Sequence, residues 1–392
     1  MFQSICIKPN EITYPTDIGF IAENLLYYQK VHVVASTDTF PILLNNCGID
    51  TLLELLTNRN LKILLRENLI GIASHQSGIE QSLTDVVLMS SESLKKEEMI
   101  FRGIFKATGR RGYSMRITQK LFPLIDTINY QNNICDLVRE DLRNTNYIKQ
   151  SIIEIINFYN PVLTLRPDEI EYEFVKTNEA YLFHTNLNYE EINKNIPNNP
   201  DGKIINPTGL MLNIMETRGD MHLAADLGAE IATTGIQTSL MKIKFHDIYN
   251  RTSKSSLDLY QFNDFILSNG HAIREVINNG DKSFDDFLSV LDKADRFKDW
   301  LKNIGDDKNI LKEYHAAVTR ETWVDKLPSK SFRWSFFTGV GLLADVMVTG
   351  GLGTVIGLGL SLGDAFLLDK VLKGWKPSVF VDKRLKSFAE IK

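Results

Sequence analysis

Cysteine is scarce in this chain of 392 residues. Cys6, Cys47 and Cys135 are the three present, an odd set with no CxxC spacing. This pattern does not indicate a disulfide framework or a structural zinc site, and it is typical of a reducing compartment. The first residues, MFQSICIKPNEITYP, lack the basic start, continuous apolar core and small-residue cleavage site of a secretory signal. We therefore expect the protein to stay in the cytoplasm.

The common catalytic motifs are also missing. The sequence contains no GxxxxGK[ST], HExxH, GxSxG or DxDxDG pattern, so it predicts no catalytic residue, cofactor or metal. A match to a dinucleotide fingerprint at Gly339, Gly341 and Ala344 lacks the strand–helix–strand unit that such a site requires. These absences weaken the case for an enzyme without closing it.

Two histidine–carboxylate pairs have the spacing of one helical turn. His222 with Asp226, and His271 with Glu275, could each bind a metal ion or form an ordinary solvated pair. We favour the solvated pair in both cases.

Charge of one sign is not in large excess. The 44 Lys and Arg against 49 Asp and Glu give a formal charge of −5, so an anionic partner must meet a local basic cluster. One such cluster surrounds the glycine-bounded turn 109–112 in IFRGIFKATGRRGYSMRITQK. We predict that this cluster binds a nucleotide or short oligonucleotide, with the tyrosine stacking on a base. The predicted site comprises Arg102, Lys106, Arg110, Arg111, Tyr113 and Arg116. The simpler alternative is a solvated basic turn.

The remaining pattern predicts an α+β, mostly α fold of about two domains. Helices alternate with short apolar strands over residues 1–190, with a helix predicted within 17–29 and strands at 31–34 and 61–65. Two further strands, 70–73 and 86–89, could extend the same sheet. The pattern predicts a small α/β regulatory domain with a β-hairpin at 170–185. An Asn-, Pro- and Gly-rich stretch, 191–208, is the predicted linker, although it could be an ordered loop within one domain. Helical periodicity over 209–328 predicts a helical bundle whose first helical stretch is 210–249.

The most distinctive feature is a glycine-rich apolar stretch at 336–368, within a predicted helical hairpin at 329–376 that precedes a basic tail at 377–392. Its residues 346–363 carry no charge and are just long enough for a membrane-span candidate. Two GxxxG patterns would let helices approach closely in lipid. The hairpin turn is predicted at Gly350 and Gly351, and the other glycines assigned to the segment are Gly339, Gly341, Gly353, Gly357, Gly359 and Gly363.

Two carboxylates lie in this segment. Asp345 and Asp364 are unusual in an apolar stretch, and the membrane interpretation predicts that both face a pore. Lysine, arginine and tryptophan flank both ends, which fits a hairpin with its two ends on the cytoplasmic side. The alternative is a helical pair buried inside the bundle, with both aspartates exposed or capping.

A large cytoplasmic body followed by LPSKSFRWSFFTGVGLLADVMVTGGLGTVIGLGLSLGDAFLLDKVLKGWKP resembles the membrane-acting effectors of bacterial anti-phage systems, with the Hailong effectors as the nearest family. The resemblance implies a homo-oligomeric channel with a partner nucleotidyltransferase. It also implies that a nucleotide or DNA-oligomer ligand holds the channel closed until infection, when opening depolarises the membrane.

The sequence therefore predicts a defence effector that is stored in the cytoplasm and moves to the inner membrane on activation. Its hydrophobic hairpin would contact membrane lipid and form or line a pore, under control of a nucleotide or oligonucleotide signal. The alternative is a soluble nucleotide-processing enzyme or scaffold in which the hairpin is buried core.

Overall fold

A computed structural model of the chain describes residues 4–9, 16–76, 81–90, 95–131, 133–177, 180–194, 196, 205–233, 235–252, 277–278, 280, 283–285, 287–288, 291, 361, 364–367 and 379–381. The helices in these ranges are α1 Ile18–Tyr27, α2 Thr39–Cys47, α3 Ile49–Asn58, α4 Lys96–Thr108, α5 Arg111–Leu121, α6 Ile134–Arg143, α7 Thr145–Tyr159, α8 Tyr189–Lys194, α9 Pro207–Leu227 and α10 Gly235–Thr252. The strands are β1 Ser4–Ile7, β2 Lys30–Ala35, β3 Leu61–Arg66, β4 Asn68–Gln76, β5 Gln81–Ser90, β6 Ile125–Ile128, β7 Tyr172–Lys176, β8 Tyr181–Thr185, β9 Glu230–Thr233 and β10 Val379–Val381. Residues 364–367 are also helical.

Six strands form a parallel sheet in the order β10-β9-β1-β2-β3-β6. In its register, Ile5 pairs with Val31 on one side and with Glu230 on the other. The strands that follow β1 extend the sheet first on the β2 side, and the chain then returns to add β9 on the opposite side of β1. The winding direction therefore reverses between β1 and β9, and doubly wound proteins usually bind ligands at the carboxyl ends of the strands on either side of such a reversal.

Both faces of the parallel sheet carry buried apolar side chains, as expected when each face is covered. Cys6 and Val34 lie on one face, in a small buried cluster, whereas Val31, Val33 and Ile63 lie on the other and are fully buried. The core that contains these last three residues also takes side chains from α1 to α5 and from residues 284–291. Helices α4 and α5 are thereby fixed to the sheet by their inner faces.

The other four strands form an antiparallel sheet in the order β4-β5-β8-β7. Helices α6, α7, α9 and α10 contribute to the core on it, in which Ile152, Ile156, Met211 and Leu240 are fully buried. The β7–β8 pair confirms the predicted hairpin.

The strands predicted at 70–73 and 86–89 exist, but the expectation that they extend the α/β sheet is wrong. Only Glu67 separates β3 from β4, and a parallel neighbour requires a crossover of a dozen or more residues. The chain instead turns directly into an antiparallel hairpin of β4 with β5.

The expectation of helix throughout 210–249 is wrong at one point. Gly228 ends α9 in the left-handed conformation, with φ of 58°, and the fully buried strand β9 follows. Together with β10, from the predicted tail, β9 brings strands from both sides of the predicted 191–208 linker into one sheet. The fold is mixed α/β with a parallel sheet, and the division into domains stays a prediction.

Candidate functional site

Four buried charged side chains meet where α6, α9, α10 and residues 364–367 come together. Arg218 donates from Nε and Nη2 to the two carboxylate oxygens of Asp141, at 2.7 and 2.6 Å, and from Nη1 to Asp364 at 2.8 Å. Lys244 Nζ lies 2.8 Å from an Asp141 oxygen and 3.3 Å from an Asp364 oxygen. We call Arg218, Asp141, Lys244 and Asp364 the buried ion network. It ties residues 364–367 to three helices.

Water is excluded from this network, whose side chains are between 0 and 2% exposed. Asp247, with an oxygen 3.2 Å from Lys244 Nζ, adds a third carboxylate at the edge. Burial by itself would lower the pKa of Arg218, but the charges of Asp141 and Asp364 outweigh it and raise that pKa above its ordinary value. Removing one member of such a set leaves an uncompensated buried charge, which is strongly destabilising.

An imidazole lies against the same segment. His222 stacks on Phe366, with ring centroids 5.2 Å apart and ring planes 11° from parallel. Burial, reinforced by the positive charge of Arg218, lowers the pKa of His222 from 6.5 to about 3. Its Nε2 has no hydrogen-bond partner among the residues that the structure describes. The ring is therefore neutral at physiological pH and provides a flat surface for Phe366.

Apolar contacts complete the attachment of residues 364–367. Leu367 is fully buried in a cluster with Met221, Ala224 and Phe245 from α9 and α10, and Ala365 is buried beside it. The C-terminal end of the predicted apolar segment is thus fixed by both charge and packing to helices α6, α9 and α10, which we call the helical body.

The residues assigned to the pore segment are described only in part. Asp364, expected to face a pore, is 1% exposed and bound to Arg218 and Lys244. The remaining nine lie outside the described residues, namely Gly339, Gly341, Asp345, Gly350, Gly351, Gly353, Gly357, Gly359 and Gly363. His271 and Glu275 also lie outside, whereas His222 is buried and Asp226 exposed.

The predicted anion site lies on a helical hairpin made by α4 and α5. Helix α4 ends at Gly109, whose φ of 64° is left-handed, and α5 begins two residues later. Lys96 Nζ, at the start of α4, lies 4.3 Å from the centroid of Phe122, directly after α5. The two helices are therefore antiparallel.

The five basic side chains predicted for the anion site fall into two groups. Arg102 is bound to Glu98 at 2.6 Å, and Lys106 forms an ion pair with Asp38. The others, Arg110, Arg111 and Arg116, are exposed, and within the described ranges no ion pair involves them. Exposed arginines without carboxylate partners can bind an anion at no cost in broken ion pairs.

A cavity of about 290 Å³ opens along one side of the hairpin, and we call it the α4–α5 groove. It is lined by Lys95, Glu97, Glu98, Phe101, Arg111, Met115, Thr118 and Gln119. Of the six residues predicted for anion binding, Arg111 lines it. Tyr113, the predicted stacking residue, is 44% exposed and does not line the groove, because two residues along a helix turn a side chain by about 200°.

A third charged group lies at the carboxyl ends of the strands, where the winding reverses. Lys8 Nζ, just after β1, forms an ion pair with Asp220 of α9, and Asp220 accepts a 2.9 Å hydrogen bond from Thr233 Oγ1, at the end of β9. At Gly219 a Cβ atom would lie 2.9 Å from the Tyr130 hydroxyl, so the missing side chain allows this close approach. Helix α9 therefore covers the edge at which such sheets usually bind ligands.

Comparison of the chain with protein-family models, with curated proteins and with solved structures finds no match. Within the described residues, no group of three His, Cys, Asp or Glu could hold a metal ion. A search of the same residues for a helix long and apolar enough to cross a membrane also finds none.

Sequence reasoning missed most residues of both sites. Asp141, Arg218 and Lys244 had no role assigned, nor did Phe101 and Thr118 of the groove. One signal was available, because the apolar stretch GLMLNIMETRGDMHLAADL carries charges that a helix buried on all sides must pair.

Proposed function

We propose that the protein is a membrane effector of bacterial defence whose glycine-rich segment, 336–368, forms or lines a pore. At rest the segment is held against the helical body. Activation frees it to enter the inner membrane, where the GxxxG glycines pack in a homo-oligomer and Asp345 and Asp364 face the pore.

The observation that supports this proposal is the position of Asp364. An aspartate near the end of an apolar, glycine-rich segment is expensive in lipid and equally expensive in a dry core without partners. Here Arg218 and Lys244 supply the partners, and Leu367 is buried beside them. The body thus provides a binding site for the end of the segment, which a stored form requires.

The signal in this proposal is a nucleotide or short oligonucleotide that binds the α/β half, and its source would be a partner nucleotidyltransferase. The exposed arginines at the start of α5, which form no ion pair with a described residue, supply suitable charge. The body would then couple ligand binding to release of the segment.

Burial of Asp364 also favours one alternative, a scaffold or nucleotide-processing enzyme in which the segment never leaves the core. The membrane effector and this alternative differ in whether the segment enters lipid. Only the first predicts loss of membrane potential when the protein is activated.

Expression in bacterial cells with a membrane-potential dye tests the proposal. We expect depolarisation by the wild-type chain on activation by phage, and none by the Gly353→Leu/Gly357→Leu double variant, since the added side chains keep helices apart. Val162→Leu is the control, because Val162 is 88% exposed and lies outside both the segment and the α4–α5 hairpin. It should depolarise like the wild type.

A wild-type chain that leaves the potential intact during infection would contradict the proposal. Equal depolarisation by the double variant would contradict the glycine packing.

A further inference from the structure

The middle of the α4–α5 groove is suited to a flat ring. Phe101 lines it from α4 and stacks on Phe105, with centroids 5.8 Å apart and planes at 15°. Met115, which is 49% exposed, faces the same space from α5. A thioether and an aromatic ring on opposite helices form an apolar slot that is left open to solvent, and both surfaces interact well with aromatic ligands.

A polar group without a partner lies beside this slot. Thr118 lines the groove and is 2% exposed, yet its hydroxyl has no hydrogen-bond partner in the described parts of the chain. Buried hydroxyls are nearly always satisfied, so an orphan at a cavity wall indicates a missing partner. Rotation about χ1 would turn the hydroxyl to a polar ligand atom, and the Gln119 amide is adjacent.

The two ends of the groove differ in charge. Lys95 lies at the end formed by the start of α4, where Glu97 and Glu98 also line the cavity. Arg111 lies at the opposite end, next to Arg110, and these arginines have no ion pair with a described residue. An anionic group is therefore favoured at the Arg111 end, where no carboxylate lines the cavity.

We infer that the α4–α5 groove binds a nucleoside monophosphate or the terminal nucleotide of a short oligomer. The phosphate lies at Arg111, the base lies between Phe101 and Met115, and the edge of the base bonds Thr118 and Gln119. A volume of about 290 Å³ is at the lower limit of small-molecule pockets, which suits one nucleotide. The inference rests on the proposed function for its regulatory role, and it names the ligand class of the gating site.

Calorimetric titration of the purified full-length protein tests the inference, with AMP, GMP, CMP and UMP as probes. Inorganic phosphate and adenosine are titrated separately, and each should bind at least tenfold more weakly than the best monophosphate. Phosphate lacks the contacts of the base, and adenosine lacks the contact of the phosphate with Arg111. Arg111→Gln should weaken that nucleotide about tenfold or more, and Thr118→Val about fivefold.

Two controls separate a binding role from a structural one. Thr118→Val should leave the melting temperature unchanged or raise it, because it removes a buried hydroxyl without a partner. Arg116→Gln, on the same helix but outside the groove, should change affinity less than twofold.

Absence of binding by all four monophosphates would overturn the inference. Inorganic phosphate that binds as tightly as the best nucleotide would overturn the role of Phe101 and Met115 in binding the base. Equal losses of affinity in Arg116→Gln and Arg111→Gln would overturn the placement of the ligand in the α4–α5 groove. Binding does not require a membrane, so a protein that binds a nucleotide without depolarising cells contradicts the proposed function alone. One that depolarises cells without binding contradicts this inference alone.

Discussion

The buried ion network and the α4–α5 hairpin use the same kinds of charged side chain in opposite ways. Arg218 is fully enclosed and bonds two carboxylates, whereas Arg111 and Arg116 are exposed and have no such partner among the described residues. A buried arginine with bidentate partners holds its helices together, since moving one of them away would leave an unpaired charge in a site without water. An exposed one costs little to leave free and is available to a ligand. We therefore expect the buried ion network to act in attachment and the α4–α5 hairpin to act in ligand binding.

The largest expected difference between the two regions is in stability. Arg218→Met leaves Asp141 and Asp364 without their main partner, so we expect a loss of about 3–5 kcal/mol in the free energy of unfolding. Arg116→Met, the matched change at an exposed position of α5, should alter the free energy of unfolding by less than about 0.5 kcal/mol. Urea unfolding followed by circular dichroism measures both values. Similar values for the two variants would remove the distinction between the regions.

A smaller effect separates the inner and outer sides of the α4–α5 hairpin. At Gly103 a Cβ atom would lie 2.5 Å from the Thr37 carbonyl oxygen and 2.8 Å from a Phe40 ring carbon, so Gly103→Ala should push α4 away from α2. We expect a loss of about 1–3 kcal/mol. Gly112→Ala meets open space in α5 and should gain about 0.5–1 kcal/mol from helix propensity. Thermal unfolding of the pair tests the attachment, and a gain in both variants would contradict it.

The pH dependence of stability is expected to report on buried histidines and not on the α4–α5 hairpin. His222 has a folded-state pKa of about 3 against an ordinary 6.5, so the unfolded chain binds a proton first as the pH falls. This contribution is fully present above pH 6.5 and is lost progressively toward pH 3, at about 1.4 kcal/mol per pH unit. Urea unfolding at pH 7, 6 and 5 should show it.

The matched variants are His222→Gln and His246→Gln, the second at an exposed position on α10. We expect His222→Gln to reduce the slope and His246→Gln to leave it unchanged. His32, whose pKa burial lowers to about 4, should account for part of the slope that remains. A slope unaffected by His222→Gln would show that this imidazole is not kept neutral by its surroundings.

The sequence predicted the local elements better than their partners. Apolar periodicity identified α1, β2, β3 and the β7–β8 hairpin, because each depends on residues close together in the chain. It could not join β9 to β1 or β10 to β9, because a four-residue and a three-residue strand leave almost no periodic signal.

The same limit applies to the sites. Arg218 is 77 residues from Asp141 and 146 from Asp364, so no local spacing could reveal the buried ion network. The basic turn was visible as a run of arginines, but the choice of Phe101 rather than Tyr113 as the ring beside Arg111 depends on which faces of α4 and α5 point into the groove. The packing of α4 against α5 decides which faces form the groove, and the sequence of one helix alone does not reveal this.

The central claim is that the body holds the end of the apolar segment through Asp364, and dye release from liposomes tests it most directly. Asp364→Asn weakens that attachment, whereas Asp247→Asn makes the same change at another carboxylate bound to Lys244, on α10 and outside the segment. We predict that Asp364→Asn releases dye from anionic vesicles faster than the wild-type protein and that Asp247→Asn does not. Equal rates for all three proteins would contradict the claim.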